Sequence, residues 1–371
     1  MKIVLTGGGT GGHIYPALAI ATYMKEQDAS TELLFIGTEK GLESKIVPNA
    51  NIRFETIDIT GFKRKLSYDN VRTVIRFFQG VSRSKQLLKQ FKPDVVIGTG
   101  GYVCGPVVYA ASRLGIPTFI HEQNAIPGLT NKFLTPFVSH IGVSFEDSLP
   151  YFRKAKQVSY TGNPCGSSVL KAMPGAGRKS LNFEPNQKYV LAAGGSRGAR
   201  VINEAVIGLA TEFDTIDCLN DMKLVLATGE VNYDKTIERI KDTPAYRNGQ
   251  IIVKPYIHNM SEVLTDCSLF IGRSGASTLA EITALGKPSV LIPSPYVTNN
   301  HQEANAASLV QVGAAVMVLE RDVNTVKILS VLSELTASAH KRAEMSKAAQ
   351  FLSVPDSANR IALALNRMIN K

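Results

Sequence analysis

Two runs of this chain place residues capable of proton transfer beside glycines and hydroxyls. The first is Gly7-Gly8-Gly9-Thr10-Gly11-Gly12-His13, directly after the apolar run Lys2–Thr6. A turn without side chains ahead of a helix N-terminus presents outward N–H groups and the positive end of the helix dipole, which together form an anion site. His13 stands where that helix begins. It is a candidate general base or hydrogen-bond donor, or simply a residue that caps the helix. The second run is His121-Glu122-Gln123-Asn124, at the end of the apolar stretch 117–120 and preceded by the glycine-rich segment Gly98–Pro106. Polar side chains at the C-terminal end of a parallel strand lie where open α/β sheets bind ligands. The alternative is a loop tied together by its own hydrogen bonds, with the imidazole of His121 paired to Glu122.

A second strand–glycine–helix unit begins at Lys188–Ala193 and runs into Gly194-Gly195-Ser196-Arg197-Gly198-Ala199. Later, Gly272-Arg273-Ser274-Gly275-Ala276-Ser277-Thr278 opens another helix with small and hydroxyl residues, and Glu281 lies one turn into it. A carboxylate there reaches a ribose held at that helix end, or is merely an acid favoured by the dipole. The stretch Pro293–Glu303 is dense in amides and hydroxyls, which suits recognition of sugar hydroxyls.

These loops need a scaffold that brings strand ends together. Apolar β-rich runs alternate with helical patterns almost throughout, which predicts doubly wound parallel sheets. Strands are expected near 2–6, 32–37, 54–59, 94–98, 117–120, 139–143 and 157–160. Helices are expected near 15–26, 69–91, 104–114 and 129–135. In the second half, strands are expected near 188–193, 223–228, 250–253, 268–271, 289–292 and 315–319. Helices follow near 199–212, 259–265, 276–285, 301–312, 323–335 and 339–350. The proline- and glycine-dense stretches Gly162–Gly166 and Met173–Gly177 read as a linker. At 371 residues two domains are the default. Pro355 sets off a terminal helix that is free to return to the first domain. The boundaries read as 1–163, 164–352 and 353–371.

Composition narrows the function. A hydrophobic fraction of 44% is that of a globular protein, and no apolar run reaches the ~18 residues that span a bilayer. Cys104, Cys165, Cys218 and Cys267 are scattered, against a zinc knuckle or disulfide framework and in favour of a reducing compartment. There is no D-x-D clamp for a divalent metal. The net charge of +10 calls for an anionic partner. Residues 62–92 carry nine basic residues (Lys63, Arg64, Lys65, Arg72, Arg76, Arg83, Lys85, Lys89 and Lys92) against one acid, Asp69. Val71, Val74, Ile75, Phe77, Phe78 and Val81 lie between them. That mixture suits an anionic membrane surface, or a helix with one buried and one solvated face. No basic-aromatic module for nucleic acid is present.

Taken together, Gly7–His13, Gly100–Pro106, His121–Asn124, Gly128–Lys132, Gly162–Pro164, Gly194–Ala199, Arg273–Ala276 and Asn300–Ala306 closely resemble the MurG family. These are the N-acetylglucosaminyltransferases of bacterial cell-wall synthesis. The resemblance covers essentially the whole chain. It implies a GT-B fold, with two Rossmann-like doubly wound domains facing a cleft and the last helix returning to the first. It implies transfer of GlcNAc from UDP-GlcNAc to the C4 hydroxyl of MurNAc in undecaprenyl-pyrophosphoryl-MurNAc-pentapeptide (lipid I), giving lipid II with inversion in a single displacement. It implies no cofactor, a peripheral place on the cytoplasmic face of the cell membrane through residues 62–92, and no nucleic acid. Protein partners are not specified.

For the site, the resemblance places Thr10, Gly11, Gly12 and Asn124 along the first domain's side of the cleft. Ser196 is expected at the diphosphate and Ile257 at the uracil through its backbone. Gly275, Ala276, Ser277, Thr278, Leu279 and Ala280 form the loop around the nucleotide, Glu281 holds the ribose, and Gln302 meets the sugar hydroxyls. His13 is the first candidate for the base and Glu122 the second; either could instead orient the acceptor or bind its pyrophosphate. Two departures stand out. Many relatives have an arginine within two residues of Gly-Asn-Pro, where this chain has Cys165-Gly166, and Arg197 replaces a glutamine that relatives often carry. Where some relatives have paired glutamines, this chain has His301-Gln302.

Two rival readings follow from the same residues. Gly7-x-Gly9-x-x-Gly12 matches the dinucleotide fingerprint of an NAD-dependent dehydrogenase literally, yet the acid it needs after the second strand comes late, at Glu39. A non-enzymatic sensor of nucleotide sugar or lipid is the other.

Overall fold

The computed structural model describes residues 1–61, 68–213, 219 and 221–370, with the side chains of 68–71 outside the description. Lys63, Arg64, Lys65 and Cys218, singled out in the sequence, lie outside the described residues, as does the side chain of Val71. The chain divides into two compact units, Met1–Ser167 with Asp356–Lys371, and Ser168–Pro355.

The first unit is built on strands β1 (Lys2–Thr6), β2 (Glu32–Gly37), β3 (Arg53–Thr56), β4 (Val95–Gly98), β5 (Thr118–Glu122), β6 (His140–Val143) and β7 (Val158–Tyr160). They form one sheet in the order β3-β2-β1-β4-β5-β6-β7, every pair parallel. Ile3-Val4-Leu5 and Val95-Val96-Ile97 are apolar at every position and fully buried, because a parallel sheet between two helical layers is covered on both faces. Ile3, Leu5, Val95 and Ile97 pack with Ile14, Ala17 and Ile20 of the helix Gly11–Gln27 on one face. Val4, Val96 and Ile120 pack with Leu88, Val107 and Val108 on the other. The terminal helix Ser357–Ile369 inserts Ile361, Ala362 and Leu365 into the first of these clusters. Its first turn is pinned where the Ser357 hydroxyl donates to the Asn163 carbonyl at 2.7 Å.

The second unit contains β8 (Lys188–Ala193), β9 (Met222–Ala227), β10 (Ile251–Lys254), β11 (Leu269–Gly272), β12 (Ser289–Leu291) and β13 (Ala315–Met317). Its parallel sheet runs β10-β9-β8-β11-β12-β13. Both units are therefore doubly wound. Strand order reverses between β1 and β4 in one and between β8 and β11 in the other. At such a switch point adjacent loops diverge and leave a crevice at the carboxyl ends of the strands. The glycine-rich loops emerge at these two points.

The stretch expected as a linker is structured. It contains the helices Pro164–Val169 and Ala176–Ser180. Asn163 Oδ1 accepts the Cys165 N–H at 3.1 Å and Pro164 takes the first helical position, where a missing N–H costs nothing. The Asp266 carboxylate accepts the N–H groups of Gly175 and Arg178 at 2.8 and 2.9 Å. The first long helix starts at Gly11, four residues before the expected position, and contains Pro16. Among the described residues, the α-helices Glu43–Asn49, Pro244–Arg247 and Glu230–Ile240 also have no counterpart in the sequence reading. The last of these packs Tyr233, Ile237 and Ile240 on the core beside the buried Thr236, a stripe at helical spacing.

Candidate active site

At the switch point of the first unit, the loops after β1 and β4 close on each other. The Gly8 N–H donates to the Gly100 carbonyl at 3.3 Å. A Cβ on Gly101 would meet the Gly8 carbonyl at 2.3 Å, and Gly101 holds φ +82°, so this crossing needs glycine on both counts. Thr10 is the N-cap, its carbonyl accepting the N–H groups of His13 and Ile14 at 3.1 and 3.3 Å. Thr10 and Gly12 are exposed, and Gly11 and His13 are half-buried.

His13 is held at Nδ1, at one ring edge and at its own carbonyl. Its Nδ1 is 3.0 Å from the Gly8 carbonyl oxygen and 3.2 Å from the Thr10 hydroxyl. Its ring lies against Gly100, where a Cβ would come within 2.8 Å of Cδ2. Its own carbonyl accepts the Thr99 hydroxyl at 2.7 Å. A carbonyl only accepts, so the proton sits on Nδ1 and the lone pair on Nε2. This is the tautomer a base requires.

Within Gly7–Gly12 one N–H is already engaged by the chain itself: the Gly9 N–H donates to Oε2 of Glu43 at 3.0 Å. Glu122, the second candidate base, is enclosed by donors. It is 1% exposed, and its two oxygens accept four N–H groups: the Asn124 backbone at 3.0 Å and side chain at 3.2 Å, the Gly128 backbone at 3.0 Å and the Asn131 side chain at 2.8 Å. A buried carboxylate so occupied organises its loop and has no lone pair aimed outward. Asn124, half-buried, is oriented by it. The pairing of His121 with Glu122 is absent. The fully buried His121 donates from Nε2 to the Gly162 carbonyl at 2.9 Å and accepts the Gln123 amide on Nδ1 at 3.1 Å. Burial pushes its pKa down to about 4, so it stays neutral and ties β5 to the loop after β7. The Cys104 thiol, pushed up by burial to about 12, is inert.

In the second unit, Ala193 pairs with Gly272 across β8 and β11, so the loops Gly194–Ala199 and Gly272–Gly275 leave the sheet side by side. Ser196 and Arg197 are exposed at the tip of the first loop. A Cβ on Gly198 would fall 1.7 Å from the Thr228 carbonyl oxygen, so only glycine lets this loop pack on the one after β9. Gly275 caps the helix Ala276–Ala284 with no side-chain bond to its first N–H groups. Ala276 and Leu279 are buried, while Ser277, Thr278 and Ala280 are partly exposed. The Ser277 hydroxyl oxygen is buried with no partner among the described residues.

Glu281 follows, half-buried, its carboxyl without a hydrogen-bond or ionic partner among the described residues. Burial alone pushes its pKa up to about 7. Gln302 is fastened to the same helix end: its carbonyl accepts the Ser274 hydroxyl at 2.7 Å and its side-chain oxygen accepts the Ser294 N–H at 2.9 Å. That leaves the Gln302 amide nitrogen as a donor. Ile257 is 5% exposed in the loop after β10. Arg273 is structural, donating to the Ile292 carbonyl at 3.0 Å and pairing with Glu320 at 2.6 Å. The second unit thus gathers helix N–H groups, hydroxyls, a lone carboxyl and an amide donor. That set fits a phosphorylated, hydroxyl-rich ligand.

Sequence reasoning missed Glu43, Thr99 and the role of Asn131. Asn131 lies inside the quoted stretch Gly128–Lys132, but nothing local ties it to Glu122. Thr99 and Glu43 act across long sequence separations that a single chain does not display.

Comparisons with known proteins place the chain in a family. Residues 3–143 match the glycosyltransferase family 28 N-terminal domain, and residues 189–361 match the family 28 C-terminal domain. The chain is 50% identical over 371 residues, all of both chains, to UDP-N-acetylglucosamine–N-acetylmuramyl-(pentapeptide) pyrophosphoryl-undecaprenol N-acetylglucosamine transferase 1 of Bacillus cereus. It is 50% identical over 368 residues, 99% of each chain, to the transferase of that name from Halalkalibacterium halodurans. The crystal structure of Acinetobacter baumannii MurG superposes with a TM-score of 0.75 at 26% identity, over 99% of each chain. With both domains matched in order and half of all residues identical from end to end, the chain belongs to glycosyltransferase family 28, among its MurG members.

Proposed function

We propose that the protein transfers GlcNAc from UDP-GlcNAc to the C4 hydroxyl of MurNAc in the polyprenyl-pyrophosphate-linked acceptor lipid I, giving lipid II. The observation that carries this reading is the second unit's switch point, where the unpartnered carboxyl of Glu281 stands beside the open N-terminus of Ala276–Ala284. A carboxylate of that kind suits the paired hydroxyls of a ribose. The N–H groups of Gly275, Ala276, Ser277 and Thr278 and the loop carrying Ser196 suit a diphosphate, whose charge they meet without a metal ligand set. Among the described residues no group of three metal-ligating side chains is present. Leu279 and Ala280 complete the helical wall, the Ile257 backbone serves the uracil, and the Gln302 amide serves the sugar hydroxyls.

The reaction is a single displacement. The acceptor hydroxyl attacks the anomeric carbon as the bond to UDP breaks, with oxocarbenium character in between and inversion at carbon. His13 takes the hydroxyl proton on Nε2, and the resulting imidazolium is stabilised where its Nδ1–H already meets the Gly8 carbonyl. Thr10, Gly11, Gly12 and Asn124 bind substrate around it. Arg197, exposed beside Ser196, supplies charge to the diphosphate in place of the arginine absent after Pro164.

The acceptor's tail stays in a bilayer, and the first unit has a surface suited to one. The helix Tyr68–Phe91 exposes Val74, Ile75 and Phe78, the last 63% exposed, and Phe133 and Leu129 are exposed on the neighbouring helix Leu129–Leu134. Phe77 joins the two helices, packing edge-on against Phe133 at 5.9 Å. Arg72 and Lys132 are exposed among them. Apolar residues beside cations favour an anionic lipid surface, and among the described residues no helix is long and apolar enough to cross a membrane. Labelled UDP-GlcNAc incubated with a lipid I analogue tests the function. Label moving to the lipid only when protein is present supports transfer. Donor binding without transfer favours a sensor, and NADH binding without UDP release favours a dehydrogenase.

A further inference from the structure

The first glycine loop donates to an anion that belongs to the chain itself. Glu43 is fully buried. Besides accepting the Gly9 N–H, its carboxylate accepts the N–H and hydroxyl of Thr38 at 3.2 and 2.6 Å. Three glycines from separate turns are shaped around it. A Cβ on Gly8 would lie 2.5 Å from the carboxyl carbon, one on Gly41 2.2 Å from Oε1, and one on Gly37 2.7 Å from Cγ. The loop gripped on one side by Glu43 presents the Gly8 carbonyl to Nδ1 of His13 on the other.

We propose that Glu43 is a positioning residue for glycosyl transfer: an internal carboxylate that occupies the place of a phosphate, locks the loop Gly7–Gly12 and thereby fixes the ring and tautomer of His13. The inference rests on His13 being the base.

The full chain is purified as Glu43→Ala, Glu43→Gln and His13→Ala, and kcat and donor KM are measured with and without formate. Misplacing a catalytic group by about 1 Å costs on the order of a hundredfold, so Glu43→Ala is expected to lose about that in kcat with donor KM held within about twofold. Formate, small enough to enter the vacated nest, is expected to restore about tenfold of the loss, which a merely destabilised protein would not show. A folded Glu43→Ala protein with kcat within about twofold of wild type, or a loss that formate does not reverse, overturns the role. If Glu43→Ala does not fold, Glu43→Gln decides: a kcat lower by about tenfold at constant donor KM supports the role, and unchanged kcat overturns it. Full turnover by His13→Ala removes the base assignment itself. An inactive His13→Ala beside a fully active Glu43→Ala removes only the part given to Glu43.

Discussion

Nδ1 of His13 lies 3.0 Å from the carbonyl oxygen of Gly8, and this contact sets where the imidazole can accept a proton. With Nδ1–H committed to a carbonyl, only Nε2 is left to act as a base. His13→Ala is therefore expected to lower kcat by about 10²–10⁴-fold, the range for loss of a positioned base, with little change in donor KM. Steady-state kinetics with the donor varied at saturating acceptor checks this. Equal falls in kcat and donor affinity would assign His13 to binding instead.

Glu281 predicts a pH dependence of donor binding. Its pKa, raised to about 7 by burial, means that the empty site holds a protonated carboxyl below neutrality and an unpartnered carboxylate above it. Ribose hydroxyls donate best to the ionised form, so donor affinity should rise as pH increases through about 7 and level off above it. The stability of the empty protein runs the other way. The folded state holds a proton that the unfolded state releases near its ordinary value of 4.5, so stability falls as pH rises from there to about 7. Glu281→Gln should melt higher than wild type at pH 8 while binding UDP more weakly and without the pH step. Calorimetric titrations with UDP across pH, paired with thermal melts, read both effects.

Glu122 predicts a structural phenotype. Replacing its carboxylate by alanine leaves four N–H donors without their acceptor, and each buried unsatisfied group costs about 1–3 kcal/mol. Glu122→Ala should show a large drop in melting temperature, and Glu122→Gln a smaller one. Whatever activity remains should keep the wild-type pH profile, because no titrating catalyst has been removed. A displaced pH profile in a stably folded Glu122→Gln protein would return this residue to the chemistry.

The exposed apolar residues of Tyr68–Phe91 predict salt-dependent vesicle binding. Phe78→Ser and Ile75→Ser together remove two apolar anchors worth about 1.5–3 kcal/mol each if fully inserted, so binding to anionic vesicles should weaken at least tenfold. Turnover of a short-chain, water-soluble acceptor should be unaffected. Co-sedimentation with neutral and anionic vesicles at two salt concentrations checks it, and equal binding to both lipid compositions would exclude the electrostatic part.

Local features were the legible ones. The all-apolar runs such as Ile3–Leu5 and Val95–Ile97, each followed by glycines, announce a parallel sheet and its switch-point loops from sequence alone. Glu281 was legible because it lies one turn into a helix opened by small residues. Glu43 was not. The dinucleotide pattern needs an acid after the second strand and offers Glu39, whereas the chain turns through Gly41 and brings the Glu43 carboxylate back to Gly9, 34 residues earlier. The difference in surroundings between His13 and Glu122 was also illegible. Both are titratable residues at strand ends, and only the donors converging on Glu122 from Gly128 and Asn131 distinguish a buried organiser from a poised base. The supposed linker misled for the same reason, since Asp266 holds its second helix from 88 residues away.

The anomeric configuration of the product tests single-displacement transfer to a lipid-linked acceptor most directly. The purified protein is given UDP-GlcNAc and a lipid I analogue, and the new glycosidic linkage is read by proton NMR from its anomeric coupling. The α-linked donor should yield a disaccharide joined β to C4 of MurNAc, formed at least a hundredfold faster by wild type than by His13→Ala, within the range for loss of a general base. An α linkage, or release of free GlcNAc with no disaccharide, would contradict it.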